Sequence, residues 1–140
     1  MSQLKILIVE DDDGHALLIE ETFREAGIFN EIIRFRDGEE IWDFFKGKSK
    51  KFNFDENNHY LVLLDINMPK MNGLEVLQKM KESEQLKKIP VMMLTTTDDP
   101  REIEKCYALG CSIYITKPIA FTDFIKTLNR LGLFIQVVKV

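Results

Sequence analysis

Tyr60-Leu61-Val62-Leu63-Leu64-Asp65 is a run of apolar residues closed by a carboxylate. A strand with one wet face alternates polar and apolar side chains, and this one does not. It reads instead as a strand buried on both faces, the condition met in a parallel sheet covered by helices. Working outward, Lys5–Val9 and Val91–Leu94 have the same character, whereas Glu31–Phe35 and Ser112–Thr116 are more polar and suit sheet edges. Helical patterns lie between them. Ala16, Ile19, Phe23 and Ala26 share a face after a cap expected at Asp13, and Gly27 ends that helix. Glu39–Lys46 follows Asp37-Gly38, and Leu74, Leu77 and Met80 form a stripe after Gly73. Arg101–Leu109 lies between Pro100 and Gly110, and Phe121–Leu131 sets Phe121, Phe124, Ile125 and Leu128 on one side. Five strands and five helices in strict alternation predict a doubly wound α/β fold.

The composition narrows the function. A formal net charge of −4 over 140 residues argues against a nucleic-acid-binding surface, which would need a basic stripe. The apolar runs fall far short of the roughly 20 residues that span a bilayer, and Met1-Ser2-Gln3 leads into Leu4 without a signal-peptide pattern. Two cysteines, Cys106 and Cys111, make a poor disulfide framework and suit a reducing compartment, so the expected location is cytoplasmic, with no membrane association. Two stretches exceed minimal connections. Gly47–His59 is long, basic at its start and acidic in its middle, and the chain end from Leu133 to Val140 is apolar.

In open parallel sheets, ligands sit beyond the carboxyl ends of the strands. Those ends carry Glu10-Asp11 (followed by Asp12 and Asp13), Asp65, Thr95-Thr96-Thr97 and Lys117-Pro118. Like charges about 4 Å apart repel by roughly 4 kcal/mol at an effective dielectric near 20. Glu10, Asp11 and Asp65 brought together therefore call for a cation. Hard oxygen ligands in small number favour Mg²⁺, which keeps several waters and prefers a site shared with a phosphate. Such a site offsets charge on a transferring phosphoryl group. Asp65, capping the central strand, is the best nucleophile. Lys117 is long enough to reach it, and the Thr95 hydroxyl can donate to a phosphoryl oxygen.

On these residues the chain resembles the response-regulator receiver domain of two-component signalling. The resemblance rests on Glu10-Asp11 after an apolar strand, on Asp65 within Leu63-Leu64-Asp65-Ile66-Asn67-Met68-Pro69-Lys70-Met71-Asn72-Gly73, on Thr95 after Val91–Leu94, and on Lys117-Pro118 after Tyr114. It spans Lys5 to Leu131 in order, and it is similar to the chemotaxis regulator. It implies a flavodoxin-like sheet with strand order 2-1-3-4-5 and five flanking helices. It also implies one domain over residues 1–140, with a core at 4–131 and an apolar tail at 132–140. Asp65 would be phosphorylated by the phosphohistidine of a sensor histidine kinase. Mg²⁺ would be held by Asp11, Asp65 and the carbonyl of Asn67, with Glu10 acting through water. Thr95 and Tyr114 would form the switch pair, and Lys117 would precede a cis bond to Pro118, a bond that proline makes inexpensive. The long Gly47–His59 loop, Leu94-Thr95-Thr96-Thr97, Tyr114-Ile115-Thr116-Lys117-Pro118 and the tail resemble stand-alone regulators that partner phytochrome-type kinases.

An acidic run such as Glu10–Asp13 is often only a solvated loop, and Thr95 and Tyr114 could be strand filler; the strand-end register with Asp65 and Lys117 favours a site. His15 lies near the rim with nothing evident to pair with it. A flavin binder would meet repulsion between its phosphate and Glu10–Asp13. A small-molecule phosphatase working through an aspartyl phosphate stays a rival, against which stand the lack of a cap domain, little substrate pocket and a general acid left unassigned. A pure interaction module would lack the acids or Lys117. The expected protein is thus not an enzyme in the ordinary sense. It would act through protein contacts, either as a diffusible effector or as a phosphorelay shuttle to a histidine phosphotransfer protein. The apolar tail suggests a homodimer.

Overall fold

The structure is a computed structural model that describes residues 4–95, 99–116, 126, 129–130 and 132. Five strands, β1 (Leu4–Val9), β2 (Ile32–Phe35), β3 (His59–Leu64), β4 (Val91–Thr95) and β5 (Ile113–Thr116), form one parallel sheet in the order β2-β1-β3-β4-β5. The two polar strands are its edges, and the three apolar ones its centre. The register sets Val9 beside both Phe35 and Leu64, so the carboxyl ends of β1, β2 and β3 are level.

Alternate side chains of each central strand enter opposite cores. Leu7, Val9, Val62 and Leu64 join Ile41, Phe44, Val76, Leu77 and Met80 on one face. Ile6, Ile8, Leu61, Leu63, Met92 and Leu94 join Ile19, Phe23 and Ile28 on the other. Burial on both faces is what the unbroken apolar runs require.

Four helices lie among the described residues: α1 (Asp13–Glu25), α2 (Gly38–Phe45), α3 (Gly73–Lys81) and α4 (Pro100–Ala108). The cap of α1 is Asp12 rather than Asp13: its carboxylate accepts from the His15 N–H at 2.9 Å, and Asp13 is the first helical residue. α3 opens with a reciprocal box in which Asn72 and Glu75 bond each other's backbone N–H. Asn72→Ala should therefore lower stability by about 1 kcal/mol, read as a shift of the urea midpoint at constant slope. Most of the expected fifth helix, Phe121–Leu131, lies outside the described residues. Lys126, Asn129, Arg130 and Gly132 are helical. A Cβ at Gly132 would stand 3.2 Å from the Ala26 Cβ, which places this turn against the end of α1. The tail, 133–140, lies outside the described residues.

At the end of α4, the Gly110 N–H bonds the Tyr107 carbonyl and the Cys111 N–H bonds the Cys106 carbonyl, both at 3.0 Å. Gly110 supplies the left-handed residue that this cap needs, with φ 97°. Both thiols are free and buried. Burial pushes the Cys106 thiol up to about 11, and that of Cys111 upward as well. A raised thiol pKa means less thiolate at any given pH. At pH 8, then, the native protein should take up iodoacetamide far more slowly than the urea-unfolded chain; equal rates would contradict the burial.

The long Gly47–His59 segment is pinned by its aromatics. Phe54 meets Phe44 at 5.7 Å and Tyr60 at 5.4 Å, and Phe52 meets Phe35 edge-on at 6.2 Å. The Asp55 N–H donates to the Tyr60 hydroxyl at 3.1 Å.

Candidate functional site

The ends of β1 and β3 bring Glu10, Asp11 and Asp65 together, with one carboxylate oxygen of each within 4.8 Å of the others. Glu10 and Asp65 are buried, at 2% and 8% exposure, while Asp11 is exposed. The backbone dictates this meeting. The Glu10 N–H bonds the Phe35 carbonyl at 3.0 Å and the Asp65 N–H bonds the Val9 carbonyl at 3.2 Å, so both acids continue the ladder just past its last apolar pair. Two buried carboxylates beside a third are costly without a compensating cation. An all-oxygen set of this size, one of its acids exposed, suits Mg²⁺ or Mn²⁺. Asp11 and Asp65 would hold such an ion, with Glu10 behind them.

Several groups hold the acids in place. The Asn67 N–H donates to Asp65 Oδ1 at 3.2 Å, orienting that carboxylate. The Asp12 N–H reaches Glu10 Oε2 at 3.3 Å, and His15 Nδ1 stands 3.6 Å from Glu10 Oε1. His15 thus has a neighbour that sequence reasoning did not supply, because the first turn of α1 folds it back toward Glu10. Arg34, from β2, is a second group that pattern reading missed. Its Nε and Nη2 donate to the Glu10 carbonyl at 3.1 and 2.8 Å, and its Nη1 to Asp13 at 2.6 Å. The Arg34 hydrogen bond, with Arg36 at 3.2 Å, holds the Asp13 carboxyl below the usual carboxylate range. The fourth acid of the run is therefore engaged with arginines.

The loop after β3 is tightly drawn. Lys70 and Met71 adopt φ of 49° and 71°, in the left-handed region that non-glycine residues seldom enter. The Lys70 carbonyl accepts from the Glu39 N–H at 3.1 Å. Gly38 and Gly73 permit the approach: a Cβ at Gly38 would lie 2.0 Å from the Met71 carbonyl oxygen, and one at Gly73 would lie 2.2 Å from that of Asp65. The signal for these contacts was present as Asp37-Gly38 and Asn72-Gly73, but which backbone each glycine meets was not.

Thr95 ends β4 opposite Thr116 of β5, at the same edge as Asp65; its side chain lies outside the described ones. Tyr114 is half-buried on β5 against the core. Its N–H donates to the Tyr107 hydroxyl at 3.1 Å, which ties the edge strand to α4. Lys117 and the proposed cis-proline Pro118 lie outside the described residues, so the structure does not place the ammonium.

Comparison with known proteins gives one family. The model of the response regulator receiver domain matches residues 6–129. The crystal structure of a response regulator receiver domain from Rhodospirillum rubrum is 44% identical, with TM-score 0.89, covering 97% of this chain and 96% of that one. Response regulator Rcp1 of Synechocystis sp. is 34% identical over 129 residues, 92% of this chain and 86% of Rcp1. The Mn²⁺-bound form of Rcp1 has been solved and superposes with TM-score 0.83 at 33% identity, covering 93% and 92% of the two chains. The phosphorylated cyanobacterial phytochrome response regulator RcpA is 30% identical with TM-score 0.83, covering 96% and 94%.

Proposed function

The chain belongs to the response regulator receiver domain family, and on that premise we propose that Asp65 accepts a phosphoryl group from the phosphohistidine of a sensor histidine kinase. The observation that carries this reading is the meeting of Glu10, Asp11 and Asp65, with Asp65 buried and oriented by the Asn67 N–H. An Asp65 oxygen attacks phosphorus; the P–O bond forms as the P–N bond breaks, and the electron pair stays on the leaving imidazole. Bound Mg²⁺ would neutralise charge on the transferring oxygens. The residues of this chain do the rest. Asp11 and Asp65 would anchor the ion, and the Asn67 N–H orients the nucleophile. Thr95 and Lys117 are the proposed partners of the phosphoryl oxygens once the group is in place.

The switch follows from charge. Phosphorylated Asp65 gives Thr95 a new acceptor, and the space it leaves admits Tyr114, so the β5 edge and α4 change shape together. The likeness to RcpA supports a phytochrome-type kinase as the donor. Self-association through the last helix and tail completes the proposal.

Incubation with acetyl phosphate and Mg²⁺ should add one phosphoryl group by intact mass, and EDTA should abolish it. Undiminished labelling in EDTA would remove the metal from the mechanism. Phosphotransfer from a panel of histidine kinases of the same genome tests the donor; a phytochrome-type kinase that fails while another succeeds would overturn the narrower assignment. For the dimer, sedimentation of a chain ending at Arg130 should give half the mass of the full chain, whereas a monomeric full chain would refute it.

A further inference from the structure

A concavity of about 550 Å³ opens between the end of β2 and the segment that follows α2. Arg34, Arg36, Lys48, Lys50 and Lys51 line it, with Phe35 and Phe52 among its walls. Five cations on one concavity are notable in a chain of net charge −4. The arrangement is built rather than incidental. Phe52 is anchored edge-on against Phe35 at 6.2 Å. The Ser49 hydroxyl accepts from the Lys51 and Phe52 N–H groups at 3.3 and 3.2 Å, closing the turn that presents Lys50 and Lys51. This is the long connection whose basic start the phosphoacceptor site leaves unused.

We propose that this concavity is a docking site for an acidic segment of a partner protein. Its chemistry distinguishes that occupant from a compact phosphate. Phosphate cradles converge backbone N–H groups on one point, and here the Lys51 and Phe52 N–H groups are spent on Ser49. The cations form a strip from strand to loop. On the α2 side the strip is bordered by Glu40 and Asp43, which disfavour a dense polyanion but tolerate an extended chain with spaced carboxylates. Arginine and a half-buried aromatic are the residue types that anchor protein interfaces, and charge of this kind speeds and orients encounter.

The site also communicates with the acidic rim. Arg34, which borders the concavity, holds the Glu10 carbonyl and Asp13. An acidic side chain drawn to Arg34 competes with Asp13, so docking and the state of the Glu10–Asp13 loop are linked and each biases the other. The inference does not depend on the phosphoacceptor reading, because binding is measured on the unphosphorylated protein.

The test is fluorescence anisotropy of a labelled glutamate-rich peptide with the full chain. Binding should weaken steadily as salt rises through the physiological range. The K48E/K50E/K51E variant should bind about tenfold or more weakly, equivalent to about 1.4 kcal/mol, with an unchanged circular dichroism spectrum. A matched K79E/K87E/K88E variant should bind as the wild type does. Equal losses in the two variants, or no loss in the first, would overturn the proposal. So would tighter binding of inorganic tripolyphosphate than of the peptide at equal ionic strength, which would mark a small-anion site instead.

Discussion

Asp65→Asn is expected to take up no phosphoryl group from acetyl phosphate in Mg²⁺ over a period in which the native chain is fully labelled. Asparagine keeps the size and the Oδ1 acceptor that meets the Asn67 N–H at 3.2 Å, so the loop after β3 has no reason to move. What disappears is the nucleophilic oxygen and one of three carboxylates lying within 4.8 Å of one another. Removing a buried like charge relieves repulsion. The variant should therefore be at least as stable as the native chain in urea when no divalent ion is added. It should also bind Mg²⁺ or Mn²⁺ more weakly by calorimetry, because one anchoring oxygen has become neutral. Loss of labelling with stability retained separates chemistry from folding. Full labelling of Asp65→Asn would refute the assignment, and labelling with collapse of the metal affinity would place the phosphate on a neighbouring acid.

Gly73→Ala should lower stability by about 3 kcal/mol in urea unfolding. Helix propensity argues the other way, since alanine is better than glycine inside a helix by about 1 kcal/mol. Sterics win because of what the methyl meets. The new Cβ would lie 2.2 Å from the Asp65 carbonyl oxygen and 2.9 Å from the Ile66 Cα, both backbone, and neither can rotate away. The Gly73 N–H also bonds the Ile66 carbonyl at 3.0 Å, so the start of α3 is tied to the segment it would have to leave. Any relief moves Asp65, and the acetyl phosphate reaction should slow together with the stability loss. Gly47→Ala is the contrasting case. Nothing lies within 4 Å of its Cβ and its φ is 74°, so only backbone strain of about 1 kcal/mol is expected, with the reaction unaffected. Equal stability of Gly73→Ala and the native chain would show that the approach of α3 to β3 has room for a methyl group.

The elements were legible because they depend on neighbours close along the chain. The double burial of β3 is written in Tyr60–Leu64, and the breaks at Gly27 and Gly110 in the left-handed residues that helix ends require. Element ends were less legible. The α1 cap moved from Asp13 to Asp12 because four consecutive acidic residues offer competing caps, and only the geometry of the turn selects the one that reaches the His15 N–H. The same limit hid the neighbour of His15 and the tether of Arg34, since a side chain on β2 gives no local sign of the carbonyl it will meet just past β1.

By itself the sequence determined which groups stand at the strand ends, Glu10, Asp11, Asp65 and Thr95, and that these strands form a parallel sheet covered on both faces. The reason is that period, burial and the chemistry of the last residue are local properties. The tertiary structure decided the rest. It brought one oxygen from each of three carboxylates within 4.8 Å through the β1–β3 register, and it bound the Glu10 carbonyl to Arg34. It laid α3 on the Asp65 backbone at a distance that only glycine allows. Those are distances between residues far apart in the chain, and they exist only once both faces of the sheet are buried and the strands are locked in step.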